Sequence, residues 1–388
     1  MAPDGLIGKL LAGPAWLYEL GVRTRVVAYE TNYLKSHKLD TAVLSIGNIT
    51  VGGTGKTPLV EYVARYLSSE GHSVVILTRG YGRSSRGQRV LNDPASGGAS
   101  QTTLENAGQT EDHRVERLPA PSRDKSGSPR IISGAGSFRD FGDEPVMLAR
   151  ALPATPIVVN SNRVEAGRWA EQHLKPDVII LDDGYQHLAL ARDLNVLVLD
   201  ATNPFGDWRM VPLGGLREPL FGIKRADAVI VTRAHRPFDQ AKTVGTIKYF
   251  CGDKVPIMYA YSSIVRLRHL TTGEVYDAGQ FQGWNASVVC AIGNPRSFSD
   301  DLLQIGINIA SEKFFRDHYA FTQQDWDLVN QQASAAGADM IVTTEKDAVR
   351  LEGFTGAEIP VYAAQAELES EDEVRLKSLL LRSLLVRR

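Results

Sequence analysis

From residue 41 to about 233, short β-branched apolar runs alternate with longer stretches of helical pattern. TAVLSIG (41–47), SVVILTRG (73–80), TPIVVN (155–160), DVIILDD (177–183), NVLVLDA (195–201) and DAVIVTR (227–233) read as buried strands. TPLVEYVARYLSSEG (57–71), DEPVMLARAL (143–152) and RVEAGRWAEQHL (163–174) read as helices between them. Near-continuous apolar strands separated by helices predict an α/β fold with a parallel sheet covered on both faces. A second, smaller α/β unit is expected after residue 236, from VPIMYAYSSIVRLRHL, ASVVCAIGNP and ADMIVTTEKDAVRL. The division expected is 1–38, 39–235 and 236–388.

Two stretches depart from that rhythm. Residues 84–140 are rich in Ser, Gly, Pro and charge and poor in large apolar groups. Such a segment buries too little surface to offset its chain entropy, so a mostly disordered insertion is expected. At the N-terminus, Leu6, Leu10, Trp16, Leu17 and Leu20 sit among Lys9, Arg23, Arg25, Lys35 and Lys38. That pattern suits a helix packed on the protein's own core, and equally one lying in a membrane interface. It lacks the charged start, continuous apolar segment and cleavage site of a secretory signal, and no run approaches the roughly 18 apolar residues that span a bilayer.

Composition narrows the classes. The 388 residues are 43% hydrophobic and 23% charged, with a net charge of −2. These values suit a folded protein and argue against a general nucleic-acid binder. Cys251 and Cys290 match no metal-ligand spacing and no disulfide framework, which points to a reducing compartment.

The strongest chemical signal is GNITVGGTGKTP (47–58). A phosphate loop needs inward-facing backbone N–H groups, a helix N-terminus behind them and a lysine for the outer phosphates. A strand leads in and a helix leads out, as that motif requires. Thr50, Val51, Gly52, Gly53, Thr54, Gly55, Lys56 and Thr57 are the expected nucleotide-binding residues, with the Thr57 hydroxyl for Mg²⁺. The opening is irregular, because the usual first glycine is Thr50. Pro58 is tolerated in the first helical turn.

Further clusters carry carboxylates and histidine. VIILDDGYQH (178–187) ends a strand in Asp182 and Asp183, at the sheet edge where α/β folds bind ligands and orient Mg²⁺. In FGDEPVML (141–148), Asp143 and Glu144 open a helix, which favourable capping alone also explains. In FRDHYAFT (315–322), Asp317 and His318 are adjacent.

Together these segments resemble the tetraacyldisaccharide 4′-kinase family, the lipid A 4′-kinases. TRGYGR (78–83), GDEP (142–145), DDGYQH (182–187), LREPL (216–220), AIGNP (291–295), DHY (317–319) and TTEKDAV (343–349) are similar to family segments in the same order. The resemblance spans about residues 5–84 and 138–365, and it includes the non-glycine at Thr50. Tyr185 replaces the usual Phe, and Arg316 replaces a Pro before Asp317–His318.

The resemblance implies ATP and Mg²⁺ as cofactors, a P-loop kinase fold, and phosphoryl transfer to the 4′-hydroxyl of tetraacyldisaccharide 1-phosphate. It implies Asp143 as base with His318 as partner, Lys56 on the β/γ-phosphates, and Arg217 on phosphate or transition-state charge. Thr57, Asp182 or Asp183, and Glu218 are then the metal side, while Arg79 and Arg83 meet substrate phosphate. A lipid acceptor also favours the interfacial reading of the N-terminal helix, at the cytoplasmic face of the inner membrane. The alternatives are another P-loop ATP-dependent ligase with a soluble acceptor, or a nucleotide-switch metallochaperone, whose guanine-selective segment TEKD (344–347) superficially resembles although no His- or Cys-rich tract accompanies it. The sequence leaves the oligomeric state open.

Overall fold

The computed structural model describes residues 6–80, 89–91, 130–131 and 141–385. In the first unit the strands are β1 (Ala42–Gly47), β2 (Val74–Thr78), β3 (Arg89–Leu91), β4 (Arg130–Ile131), β5 (Ile157–Val159), β6 (Val178–Asp182), β7 (Leu194–Asp200) and β8 (Ala228–Thr232). Its helices are α1 (Leu6–Glu30), α2 (Lys56–Ser69), α3 (Asp143–Ala151), α4 (Arg163–His173) and α5 (Gln240–Cys251). Strands β9 (Ile257–His269), β10 (Val275–Asp277), β11 (Asn285–Cys290), β12 (Asn308–Phe314), β13 (Met340–Thr344) and β14 (Val361–Ser370) follow. With them come α6 (Pro295–Gln304), α7 (Gln323–Ala335), α8 (Glu345–Leu351) and α9 (Glu373–Leu385).

The strands form one continuous sheet in the order β12-β11-β13-β14-β9-β8-β7-β1-β6-β2-β5-β3-β4, with β10 on β9. From β8 to β5 every pairing is parallel. Each of these strands is buried along its whole length, as helices on both faces require. Alternate side chains go to opposite faces. Leu44 and Ile46 of β1 meet Leu59, Val63 and Leu67 of α2 on one face, while Val43 meets Trp169 and Ala170 of α4 on the other.

The join between the units lies inside β9. Its first residues pair in parallel with β8, and the rest runs antiparallel to β14. Helix α5 contributes Ile247 to the core of β7 and β8, and α9 returns Leu376 and Leu380 to the core beneath α2. The first unit's core therefore draws on chain beyond residue 235. Within 84–140, β3 and β4 extend the sheet edge beyond β5; the rest of that expected insertion lies outside the described residues, as does Arg83.

One side of helix α1 packs on the protein's own core, as one of its two expected readings has it. Ala15 and Val26 are buried, Val22 packs on the β7–β8 core, and the Tyr18 hydroxyl donates to the Arg217 carbonyl at 2.9 Å. Lys224 pairs with Glu30 at 2.7 Å. The opposite stripe is bare, with Leu10 at 68%, Trp16 at 62% and Leu17 at 62% exposure. No helix among the described residues is long and apolar enough to cross a membrane.

Candidate active site

The phosphate loop joins β1 to α2 at the carboxyl edge of the sheet, between β6 and β7. Gly52 and Gly55 take positive φ, 100° and 75°, a region costly for any residue with a Cβ. Thr50 needs no such freedom. It lies in an extended bridge with Leu216, flanked by Val51 N–H to Gly215 O at 2.7 Å and Arg217 N–H to Ile49 O at 2.8 Å. The irregular opening is thus a strand partner of the LREPL segment, and that pairing carries Arg217 to the loop.

The loop is braced from three strand ends. Thr232 Oγ1 donates to Thr54 O at 2.8 Å, Asn48 Nδ2 donates to Thr54 Oγ1 at 3.0 Å, and Arg233 donates to Gly53 O at 2.9 Å while pairing with Asp200. Preorganised in this way, the loop presents Val51 to Thr57 on the wall of a cleft of about 1610 Å³. Asp182, Asp183, Arg217 and Arg79 line the same cleft.

The strand-end aspartates divide in character. Burial raises Asp182 to about 7, helped by the charges of Glu144 and Asp183, and Thr78 Oγ1 donates to it at 3.0 Å. Burial also pushes Asp183 upward, but Lys56 and Arg217 outweigh it and hold that carboxyl below its ordinary range. Arg217 Nη1 meets both Asp183 oxygens, at 3.0 and 2.9 Å, and Lys56 Nζ stands 3.5 Å from Oδ1.

Glu218 is placed elsewhere. Its buried carboxylate accepts from Arg225 at 2.5 Å and from Gln186 at 2.7 Å, and it is absent from the cleft wall. Its expected position near the metal is therefore not what this geometry provides. Successive residues of an extended segment point to opposite sides, so Arg217 faces the cleft and its neighbour faces inward.

The second unit closes over the loop. A Cβ added to Gly293 would sit 3.4 Å from both Gly52 Cα and Gly53 N. Nearby, His318 Nδ1 lies 3.1 Å from Asp143 Oδ2, bringing together two residues 175 positions apart. His318 has φ 58° and is pinned by its own N–H to Ala291 O at 3.3 Å, so Arg316 does not displace it. His318 and Asp317 line the cleft, whereas Asp143, 5% exposed, lies behind His318.

Helix α8 supplies groups that the sequence reading left out of the site. Arg350 pairs with Asp143 and with Asp347 Oδ1 at 2.9 Å; burial lowers its guanidinium to about 10, so it stays charged near neutrality. Lys346 Nζ reaches His318 Nε2 at 3.2 Å, Asp317 at 3.3 Å and Glu144 at 3.6 Å. Asp347 is fully buried and accepts from Ala291 N–H at 2.8 Å and Thr344 Oγ1 at 2.9 Å. The TEKD segment is thus engaged in this network, with no carboxylate left to read a guanine. The missed signal was the charge spacing of E-K-D-x-x-R over one short helix, which puts Asp347 and Arg350 on one face.

A model of the tetraacyldisaccharide-1-P 4′-kinase family matches residues 7–108 and 122–385. The chain belongs to that family. Its relatives include a tetraacyldisaccharide 4′-kinase of Geobacter sulfurreducens, 35% identical over 97% of this chain and 93% of the relative. Another, from Geobacter metallireducens, is 34% identical over 97% of this chain and 98% of its own length. The crystal structure of LpxK from Aquifex aeolicus in complex with ATP superposes with a TM-score of 0.69 at 28% identity, covering 98% of this chain and 100% of that one. The P-loop α/β kinase fold and the kinase activity expected from the motifs hold for a 4′-kinase family member with this architecture.

Proposed function

We propose that this chain transfers the γ-phosphoryl group of ATP to the 4′-hydroxyl of tetraacyldisaccharide 1-phosphate, giving the 1,4′-bisphosphate, at the cytoplasmic face of the inner membrane. The observation that carries the reading is the Asp143–His318 pair beside one cleft with a braced phosphate loop. A sugar hydroxyl is a poor nucleophile at neutral pH and needs a positioned group to take its proton as the phosphoryl moves. The pair acts as that unit: the hydroxyl proton passes to it, the hydroxyl oxygen bonds to phosphorus, and ADP leaves. Lys56 meets the outer phosphates, and Arg217 is held at the same wall by Asp183 to face developing negative charge.

Thr57, Asp182 and Asp183 are the residues that would hold Mg²⁺. The donor set fits, because Asp182 is kept up near 7 by burial and by the neighbouring carboxylates Glu144 and Asp183, a crowding that a divalent cation relieves. Among the described residues no group of three or more acidic or histidine side chains forms a dedicated metal cage, which suits an ion held by one or two carboxylates and substrate phosphate. When bound, Mg²⁺ neutralises charge between the β- and γ-phosphates.

Asp182 makes stability depend on pH. Because its folded value lies above its ordinary 3.8, the stability contributed by the protonated form is complete below 3.8 and is lost as pH rises through about 7. In chelator, the melting temperature of the wild type is expected to drop between pH 5 and 8 more than that of Asp182→Asn, as read at about those two values. Added Mg²⁺ should restore the wild type at the higher pH. Parallel curves for the two proteins would remove Asp182 as the titrating group.

The acceptor lipid carries a phosphate of its own, and the cleft suits it. Arg25, Arg79, Arg163 and Arg217 line it, and burial, reinforced by Arg163, Arg192, Arg25 and Arg79, keeps His187 neutral with a value lowered to about 4. Tyr18, Val22 and Arg25 of α1 form part of the same cleft, so the helix that carries the bare apolar stripe also lines the cleft. An apolar stripe flanked by cations lies in an anionic membrane surface. The test is transfer from labelled ATP to tetraacyldisaccharide 1-phosphate in detergent micelles. Labelled lipid is the expected result. Wild-type protein that binds ATP and never labels the lipid would refute the acceptor.

A further inference from the structure

Helix α8 is seven residues long, and the three charged side chains that open it leave in three directions, about 100° apart around the axis. Asp347 turns inward to the Ala291 N–H at 2.8 Å. Lys346, between the other two, bridges Asp317 of its own unit at 3.3 Å and Glu144 of α3 at 3.6 Å. Glu345 turns to the strands that join the units. Its Oε1 accepts from Arg268 Nε of β9 at 3.0 Å and from Gln365 Nε2 of β14 at 2.9 Å, and its Oε2 accepts from Arg268 Nη2 at 2.7 Å. Both carboxylate oxygens are thus engaged, and Arg268 meets them as a bidentate pair. Arg268, Glu345 and Gln365 all line the cleft, with the two charges facing each other.

A helix of two turns has little stability of its own, so the contacts of its side chains set where it sits. Glu345 and Asp347 are the pins on either side of Lys346. We propose that Arg268 is a positioning residue for phosphoryl transfer: through Glu345 it fixes the rotation of α8, and so holds Lys346 across Asp317 and Glu144. That bridge keeps the segment carrying His318 against α3, which carries Asp143. Gln365 supports the same carboxylate from the neighbouring strand. The Arg268 and Glu345 side chains are 19% and 20% exposed, at the cleft wall and outside the apolar cores, so their loss disturbs α8 and leaves the cores closed. The role in turnover rests on the Asp143–His318 pair being the proton-accepting unit; the placement of α8 does not.

The test compares full-length wild type with Arg268→Met, Glu345→Gln, the double variant and Arg268→Lys. Amide hydrogen exchange over residues 344–351, read by mass spectrometry, is expected to speed up about tenfold in the first three. Single-turnover transfer to tetraacyldisaccharide 1-phosphate in micelles should fall about 30-fold in each single variant and no further in the double, because the two residues act as one unit. Arg268→Lys keeps the charge without the fork and should recover about fivefold of that loss. The Kd for ATP should stay within about threefold, and on a Lys346→Met background Arg268→Met should cost less than about twofold more. Exchange unchanged in both single variants overturns the proposal, as does a further loss of about tenfold on the Lys346→Met background. A weaker Kd for ATP with transfer intact would make the pair a nucleotide contact and overturn it too. If exchange and transfer respond as expected while Asp143→Asn still phosphorylates lipid, the proton-accepting role of the Asp143–His318 pair fails and the placement of α8 by Arg268 stands.

Discussion

Asp143→Asn is expected to lower the turnover of lipid phosphorylation by about 10³-fold while ATP affinity stays within about threefold of wild type. The carboxylate lies behind His318, 5% exposed, and among the described residues its hydrogen bonds and ion pairs go to His318, Arg350 and the Glu144 N–H rather than to the phosphate loop, so ATP affinity is expected to be kept. Its negative charge is what the pair needs. It accepts from His318 Nδ1 at 3.1 Å, and it balances whatever positive charge develops as the pair takes the hydroxyl proton. The amide keeps shape and some hydrogen bonding but offers no charge and a much weaker proton acceptor. Single-turnover transfer of labelled phosphate into the lipid measures the chemical step, and equilibrium ATP binding measures the rest. Turnover within tenfold of wild type would move the base elsewhere in the cleft. Equal losses in turnover and ATP affinity would mean that the substitution had disturbed the loop.

Arg350→Met is expected to destabilise the protein by about 3–5 kcal/mol, the usual cost of leaving buried charge without its partner. Arg350 is 5% exposed and stands between Asp143, 5% exposed, and Asp347, 0% exposed. Methionine fills similar volume, so the loss is mainly electrostatic. Asp347 keeps the Ala291 N–H and the Thr344 hydroxyl, and among the described residues Asp143 keeps His318 and the Glu144 N–H at 3.0 Å. Most of the penalty therefore falls on Asp143, and adding Asp143→Asn to Arg350→Met should recover part of it. Urea denaturation of the four proteins of this cycle gives the coupling. A loss below about 1 kcal/mol, of the size found for exposed ion pairs, would mean that water reaches the network when the units part.

The sequence by itself determined the parts of this protein whose physics is local. Strand and helix follow from the spacing of apolar residues: β1, β2, β6 and β8 lie within the runs that pattern picks out, and β7 is offset from its run by one residue. The phosphate loop is contiguous, so its glycines, Lys56 and Thr57 were legible as a unit, as were Asp182 and Asp183 at the end of one strand. The likeness of ordered motifs to the kinase family supplied Asp143 and His318, which periodicity and spacing alone leave as a helix cap and a lone histidine.

Tertiary structure decided what depends on distant partners. Thr50 is extended because Leu216 pairs with it, a contact no local rule contains. Arg217 and Glu218 are neighbours in sequence, yet one meets Asp183 at the cleft and the other is buried against Arg225 and Gln186, because an extended chain turns successive side chains apart. Asp143 and Arg350 are 207 residues apart and meet only because the sheet continues through β9 and brings α8 onto α3. A charge in a sequence is assigned a role by what surrounds it after folding, since burial sets the cost of the charge and the partner's distance sets its compensation.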